Sequence, residues 1–167
     1  MQHLSPNFQL HTDLFDFRFE AGTRPGYYVR SSCGKAAFIY PPQADFSDPR
    51  TDAWLRKALV EELRKQARSL LPPRLQALAQ THGFAYRRVT IKNARSRWGS
   101  CSSLGNINLS LYLLLLPVHL IDYVMLHELC HTREMNHGPR FWALLDSLTD
   151  GKAHALRREI REFRIPF

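Results

Sequence analysis

Apolar and polar positions alternate through residues 7–40. Phe15, Phe17 and Phe19 are spaced by Asp16 and Arg18 and followed by Glu20, the period of a strand with one buried face. Gly22-Thr23-Arg24-Pro25-Gly26 supplies a turn, and residues 27–30 begin a second strand. Ser31-Ser32-Cys33-Gly34 interrupts it, residues 35–40 read as a third strand, and Pro41-Pro42 closes the block. The period then lengthens. Asp48 as cap and Pro49 in the first turn predict a helix whose face carries Trp54, Leu55, Ala58, Leu59, Glu62 and Leu63. It is expected to run to about Leu70 and to break at Pro72-Pro73. A second helix then follows from Pro73 to about Thr81, closed by Gly83 in a left-handed conformation.

Alternation returns over residues 84–93. A hairpin follows: Arg97-Trp98-Gly99-Ser100-Cys101, a turn at Ser102-Ser103-Leu104-Gly105, then Ile107, Leu109 and Leu111 on one face with Asn106, Asn108 and Ser110 on the other. Pro117 opens a strongly apolar helix (Leu120, Ile121, Val124, Met125, Leu126, Leu129) expected to reach about Arg133. The chain is expected to leave it through a left-handed Asn136. Gly138-Pro139 starts another helix, with Phe141, Trp142 and Leu145 expected on the back of the preceding one. Residues 152–163 read as a basic amphipathic helix.

The apolar helix carries His127-Glu128-Leu129-Cys130-His131, with His137 six residues on. Positions i and i+4 lie one above the other, so His127 and His131 share a face and can share one Zn²⁺. Glu128 sits about 100° round from His127 and about 60° from His131, at the edge of the same arc. A carboxylate there can take a proton from water activated by the metal. Polar groups on a core helix are costly unless something satisfies them. A downstream glutamate, Glu159 or Glu162, is the weaker alternative to His137 as third ligand. Cys130 reads as a packed thiol, His82 as a helix-end residue and Cys33 as a lone thiol. Arg97 or Tyr123 are candidates to stabilise the tetrahedral oxyanion. Asp122, Glu134 and Asp146 are candidates to accept the ligands' other N–H groups.

At 167 residues, with 44% hydrophobic and 23% charged residues, the chain is expected to be one soluble globular domain. Three cysteines without C-x-x-C spacing, and an N-terminus unlike a signal peptide, point to a reducing, cytoplasmic setting. The longest apolar run is too short and too interrupted to span a membrane. The net charge of +8 gathers in Arg87, Arg88, Lys92, Arg95, Arg97 and in Arg157, Arg158, Arg161, Arg164. That excess suits a polyanion, and nucleic acid is a secondary partner; a solvated surface accounts for it equally well.

Arg97-Trp98-Gly99-Ser100-Cys101, Ile107-Asn108-Leu109, Pro117, Ile121-Asp122-Tyr123-Val124, the His127–His131 motif, Asn136-His137 and Phe141-Trp142 together resemble the YgjP-like metallopeptidase family. The resemblance is strong over residues 84–145 and loose elsewhere. It implies His127, His131 and His137 as zinc ligands, Glu128 as general base, and a peptide or protein substrate. Metzincins share the six-residue step to the third histidine but place glycine where this chain has Glu134. SprT-like proteases, which cut proteins attached to DNA, are similar in the helix and in size. The expected fold is α+β and zincin-like: a small antiparallel sheet packed on helices, the metal helix central. The chain divides into N-terminal strands (1–46), a helical part (47–83), and hairpin, metal helix and C-terminal helices (84–167). The rival reading is a basic nucleic-acid- or protein-binding module in which zinc is purely structural.

Overall fold

The computed structural model describes residues 4–167. Four strands, β1 (Gln9–His11), β2 (Asp16–Ala21), β3 (Tyr28–Ser32) and β4 (Lys35–Tyr40), form a sheet in the order β1-β2-β4-β3. Three further strands, β5 (Arg88–Lys92), β6 (Gly99–Cys101) and β7 (Asn106–Ser110), form a second sheet in the order β5-β7-β6. The helices are α1 (Pro49–His82), α2 (Val118–Cys130), α3 (Pro139–Leu148) and α4 (Ala153–Glu162). The class is α+β, as expected, but the sheets are two and mixed: β2 pairs parallel with β4, and β5 parallel with β7. Alternation of residue types says which side chains face inward and leaves the partner strand open. Here β4 inserts between β2 and β3, and β6 lies on the far side of β7.

The first sheet packs its phenylalanines inward. Phe17 meets Phe19 and Phe38 edge-on, with ring centroids 5.2 and 5.1 Å apart. Against them lies α1, a continuous helix of 34 residues that runs through Pro72 and Pro73, where a break was expected. The reason is visible in its buried stripe. Leu55, Leu59, Leu63, Ala67, Leu71, Leu75 and Ala79 recur every four residues, each at most 2% exposed, and the repeat does not change phase at the prolines. Each proline removes one intrahelical donor, but the carbonyls left over belong to exposed Arg68 and Ser69, where water can take them. The ends form as predicted: the Asp48 carboxylate accepts from Arg50 N, and Gly83 closes the helix at φ 69°. Trp54 departs from the expected face; it is exposed and packs on Tyr27. Buried Gln66 ties the helix to the sheet, accepting from Gly34 N at 2.9 Å and donating to Ser32 O at 2.8 Å.

The hairpin of β6 and β7 forms as predicted, with Ile107 and Leu109 fully buried. A 3-10 turn at Leu111–Leu115, capped by Ser110, separates it from α2, so Leu111 leaves the strand. The second helix is buried on most of its circumference and ends at Cys130, earlier than expected. The exit is made by tight turns, Thr132 N to Leu129 O and Arg133 N to Cys130 O, both 3.0 Å. Asn136 is not left-handed; among the described residues Asp150 alone, glycine apart, has positive φ. A half-buried Arg74–Asp122 pair, with two bonds of 2.5 and 2.7 Å, locks α1 to α2. No helix among the described residues is long and apolar enough to cross a membrane.

Candidate metal centre

The end of α2 and the turn after it bring three imidazoles together. The Nε2 atoms of His127, His131 and His137 lie 3.2, 3.1 and 3.0 Å from one another. His131 is buried, His127 half-buried and His137 exposed, so the cluster opens to solvent on one side. Phe141, fully buried, forms its floor, with ring centroids 4.6–4.8 Å from all three imidazoles. That corrects the expected placement of Phe141 on the back of α2: it packs on the histidine rings themselves. Trp142 also departs from it, lying half-buried with its Nε1 donating to His137 O at 3.1 Å and so holding the third histidine's backbone.

The nitrogens suit a metal. His131 Nδ1 lies 3.0 Å from Glu134 O, which accepts only, so Nδ1 carries the proton and Nε2 turns a lone pair inward. Two further Nε2 atoms share that space, and protons cannot satisfy all three contacts at once. Burial, with the neighbouring rings and the Arg157 charge, pushes His127 down to about 3, so protonation at this ring is resisted. Burial and the same kind of neighbours lower His137 as well. A tetrahedral ion with nitrogens at 2.0–2.1 Å would set them about 3.3 Å apart, close to what is seen. Among the described residues no fourth histidine, cysteine or carboxylate joins the cluster. Glu159 pairs instead with His119 at 2.6 Å, Glu162 is exposed on α4, and Cys130 is a buried thiol, as expected.

Glu128 is 5% exposed and wedged against the edge strand β6. A Cβ on Gly99 would stand 2.7 Å from its Oε1 and 2.8 Å from its Cγ, so only glycine leaves room. Burial raises the Glu128 carboxyl to about 8. Gly99 stands in the hairpin motif, where the sequence carries no sign of the carboxylate that its missing side chain accommodates.

The expected supports turn out otherwise. Asp122 is committed to Arg74, and Asp146 accepts from Ala153 N at 3.1 Å, capping α4. Glu134 does support His131, but through its carbonyl and not its carboxylate. His127 Nδ1 is buried without a protein partner. Tyr123 is buried against the His127 ring, centroids 6.0 Å apart, its hydroxyl lifted to about 12 by burial. Arg97 is exposed and lines a groove of about 290 Å³ with Lys92, Gly99, Ser100 and Asn108, on the polar face of the hairpin. A roomier recess of about 760 Å³ lies on the outer face of the first sheet, but most of its charges pair among themselves, Arg18 and Arg30 with Glu20, His11 with Asp16.

The sequence profile of the YgjP-like metallopeptidase domain matches residues 30–162. The chain belongs to this family. The match reaches well beyond the hairpin and metal helix, back through β4 and α1, so the long helix is part of the family's domain. Membership makes the chain a metallopeptidase and implies a catalytic metal. Similar solved structures include the metallopeptidase zymogens abylysin of Pyrococcus abyssi and jannalysin of Methanocaldococcus jannaschii. Abylysin has a TM-score of 0.49 and 22% identity over 55% of this chain and 91% of that one. Jannalysin has a TM-score of 0.48 and 19% identity over 55% and 94%. No curated protein matches the chain.

Proposed function

We propose that this chain is a zinc-dependent peptidase in which His127, His131 and His137 hold one Zn²⁺ and Glu128 is the general base. The observation that carries the reading is the convergence of three Nε2 atoms within 3.2 Å, with a buried glutamate next in sequence to His127. An all-nitrogen, three-histidine set suits zinc, whose structural sites take four protein ligands and whose catalytic sites take three. When bound, the ion supplies Lewis acidity to water and to the peptide carbonyl. Glu128 takes the attacking water's proton and returns it to the leaving amine. Its burial favours the protonated form through which it must pass between those two transfers. The unpaired edge of β6, which contacts α2 and carries Gly99, offers main-chain groups to an extended substrate. Tyr123, against His127, is better placed than exposed Arg97 to face a tetrahedral oxygen, and burial keeps its hydroxyl a donor.

Incubation of zinc-loaded protein with a quenched peptide library and with casein tests this. Hydrolysis abolished by a chelator and by Glu128→Gln is expected; absence of cleavage by fully loaded protein contradicts it and favours the structural-zinc module. A contribution from nucleic acid, as in a protease acting on DNA-bound proteins, has one supporting observation. Trp98 meets Phe163 at 5.9 Å and Arg95 donates to Phe167 O, which brings the two segments that carry the basic clusters into contact. Salt-dependent binding of a duplex oligonucleotide checks it.

A further inference from the structure

On the His137 side of the centre, α4 brings up an arginine that the peptidase reading does not use. The helix is seated by buried Ala153 and Ile160, with half-buried Leu156 and Phe163 on the same side. That seating puts His154 flat on the Trp142 indole, centroids 4.2 Å apart and planes 25° off parallel. Arg157, one turn on, holds its guanidinium 5.1 Å from the centre of the same indole. Trp142 in turn lies 6.0 Å from the His137 ring and bonds its carbonyl. The guanidinium is therefore held near the histidine cluster by a ring that is itself tied to His137.

Among the described residues Arg157 has no carboxylate partner. Glu159, the acid nearest in sequence, engages His119 instead, and Asp146 caps α4. An arginine that only solvates a helix surface has no need of a stacked indole to hold it. A guanidinium parked on an aromatic face stays weakly hydrated while its fork of N–H donors remains available. Those donors match a carboxylate in bidentate geometry. We infer that Arg157, positioned by Trp142, is a specificity determinant that receives a carboxylate of the peptide substrate next to the scissile bond. The inference rests on the peptidase reading for its substrate class. The carboxylate comes either from an Asp or Glu side chain or from the chain terminus, two sources of one chemistry.

The test uses zinc-loaded full-length Glu128→Gln protein, so that binding is read without turnover, and fluorescent peptides of one sequence in three forms. These are an acidic side chain with an amidated terminus, the matching Gln peptide with a free carboxyl terminus, and the Gln peptide amidated. Fluorescence anisotropy is expected to show one carboxylate form bound more tightly than the neutral peptide. Adding Arg157→Gln should weaken that form by about 10- to 100-fold, the range for hydrogen bonds to charged groups, and leave the neutral peptide unchanged. Lys152→Gln, an equal charge loss just before the same helix, should change none of them. The identity of the favoured form distinguishes side chain from terminus. Equal binding of all three forms, or equal weakening by Arg157→Gln and Lys152→Gln, overturns the assignment. So does a loss confined to a duplex oligonucleotide, which would give the arginine to a polyanion. Cleavage by protein with intact Glu128 is scored separately: carboxylate-selective binding without cleavage sinks the peptidase reading and leaves the anion site standing.

Discussion

Two helices fill the middle of this protein, and they spend their buried surface differently. The first, α1, buries an aliphatic stripe at strict four-residue spacing and carries it through two consecutive prolines. The second, α2, is 13 residues long and buried almost all round, yet it places Glu128 inside and His127 and His131 at its end. Both sit in the same apolar cluster. What separates them is satisfaction of polar groups. On α1 the buried polar side chains are Gln66 and Glu62, joined to each other at 2.8 Å, with Gln66 also bound to the sheet. At the end of α2 and in the turn after it, the buried carboxyl and the three ring nitrogens have no such closed network, which is the mark of a site built for something that comes from outside. Substitutions in α1 should therefore move stability, and substitutions at the end of α2 should move chemistry.

The sharpest contrast comes from Glu128→Gln, expected to lower kcat by about 10²- to 10⁴-fold, the span of general acid–base catalysis, with zinc content and melting temperature held. A variant that unfolds instead would erase the distinction between the helices. Gly99→Ala comes next. Its methyl collides with the Glu128 carboxylate across the β6–α2 contact, and kcat/KM should fall about 10- to 100-fold through loss of positioning while zinc analysis still returns one equivalent. Normal turnover in Gly99→Ala would show that the carboxylate can sit elsewhere. Leu71→Ala, at a fully buried position of α1, should cost about 2–5 kcal/mol in denaturant melts, with kcat/KM of the folded fraction unchanged. Pro72→Ala should have the smallest effect, within about 1 kcal/mol and of either sign, because the proline is already accommodated where water completes the backbone bonding. A large loss there would mean the prolines shape the helix.

The sequence displayed the α2 site more openly than it displayed the fold around it. Histidine spacing is a local property of a helix, so His127, Glu128 and His131 could be placed from the 3.6-residue repeat alone. His137 needed one further assumption, that the chain turns back; it does, by tight turns where a left-handed Asn136 was expected. Long-range pairing was the weaker part. Nothing in the alternation of β2 and β4 announces that they run parallel, and Pro72-Pro73 reads as a stop unless the phase of Leu63, Ala67, Leu71 and Leu75 is followed across it. The supports around the histidines were misassigned for a related reason. Sequence does not show which partner a carboxylate takes: Asp122 is drawn to Arg74 on another helix, and His131 bonds the Glu134 carbonyl.

The claim beneath all of this is that three imidazoles hold one ion. Elemental analysis of purified protein and of His137→Ala, after dialysis against metal-free buffer and titration with Zn²⁺, tests it most directly. One tightly held equivalent in the parent and its loss in the variant, with the circular dichroism of both the same, is the predicted result. Full retention of zinc by His137→Ala would contradict it.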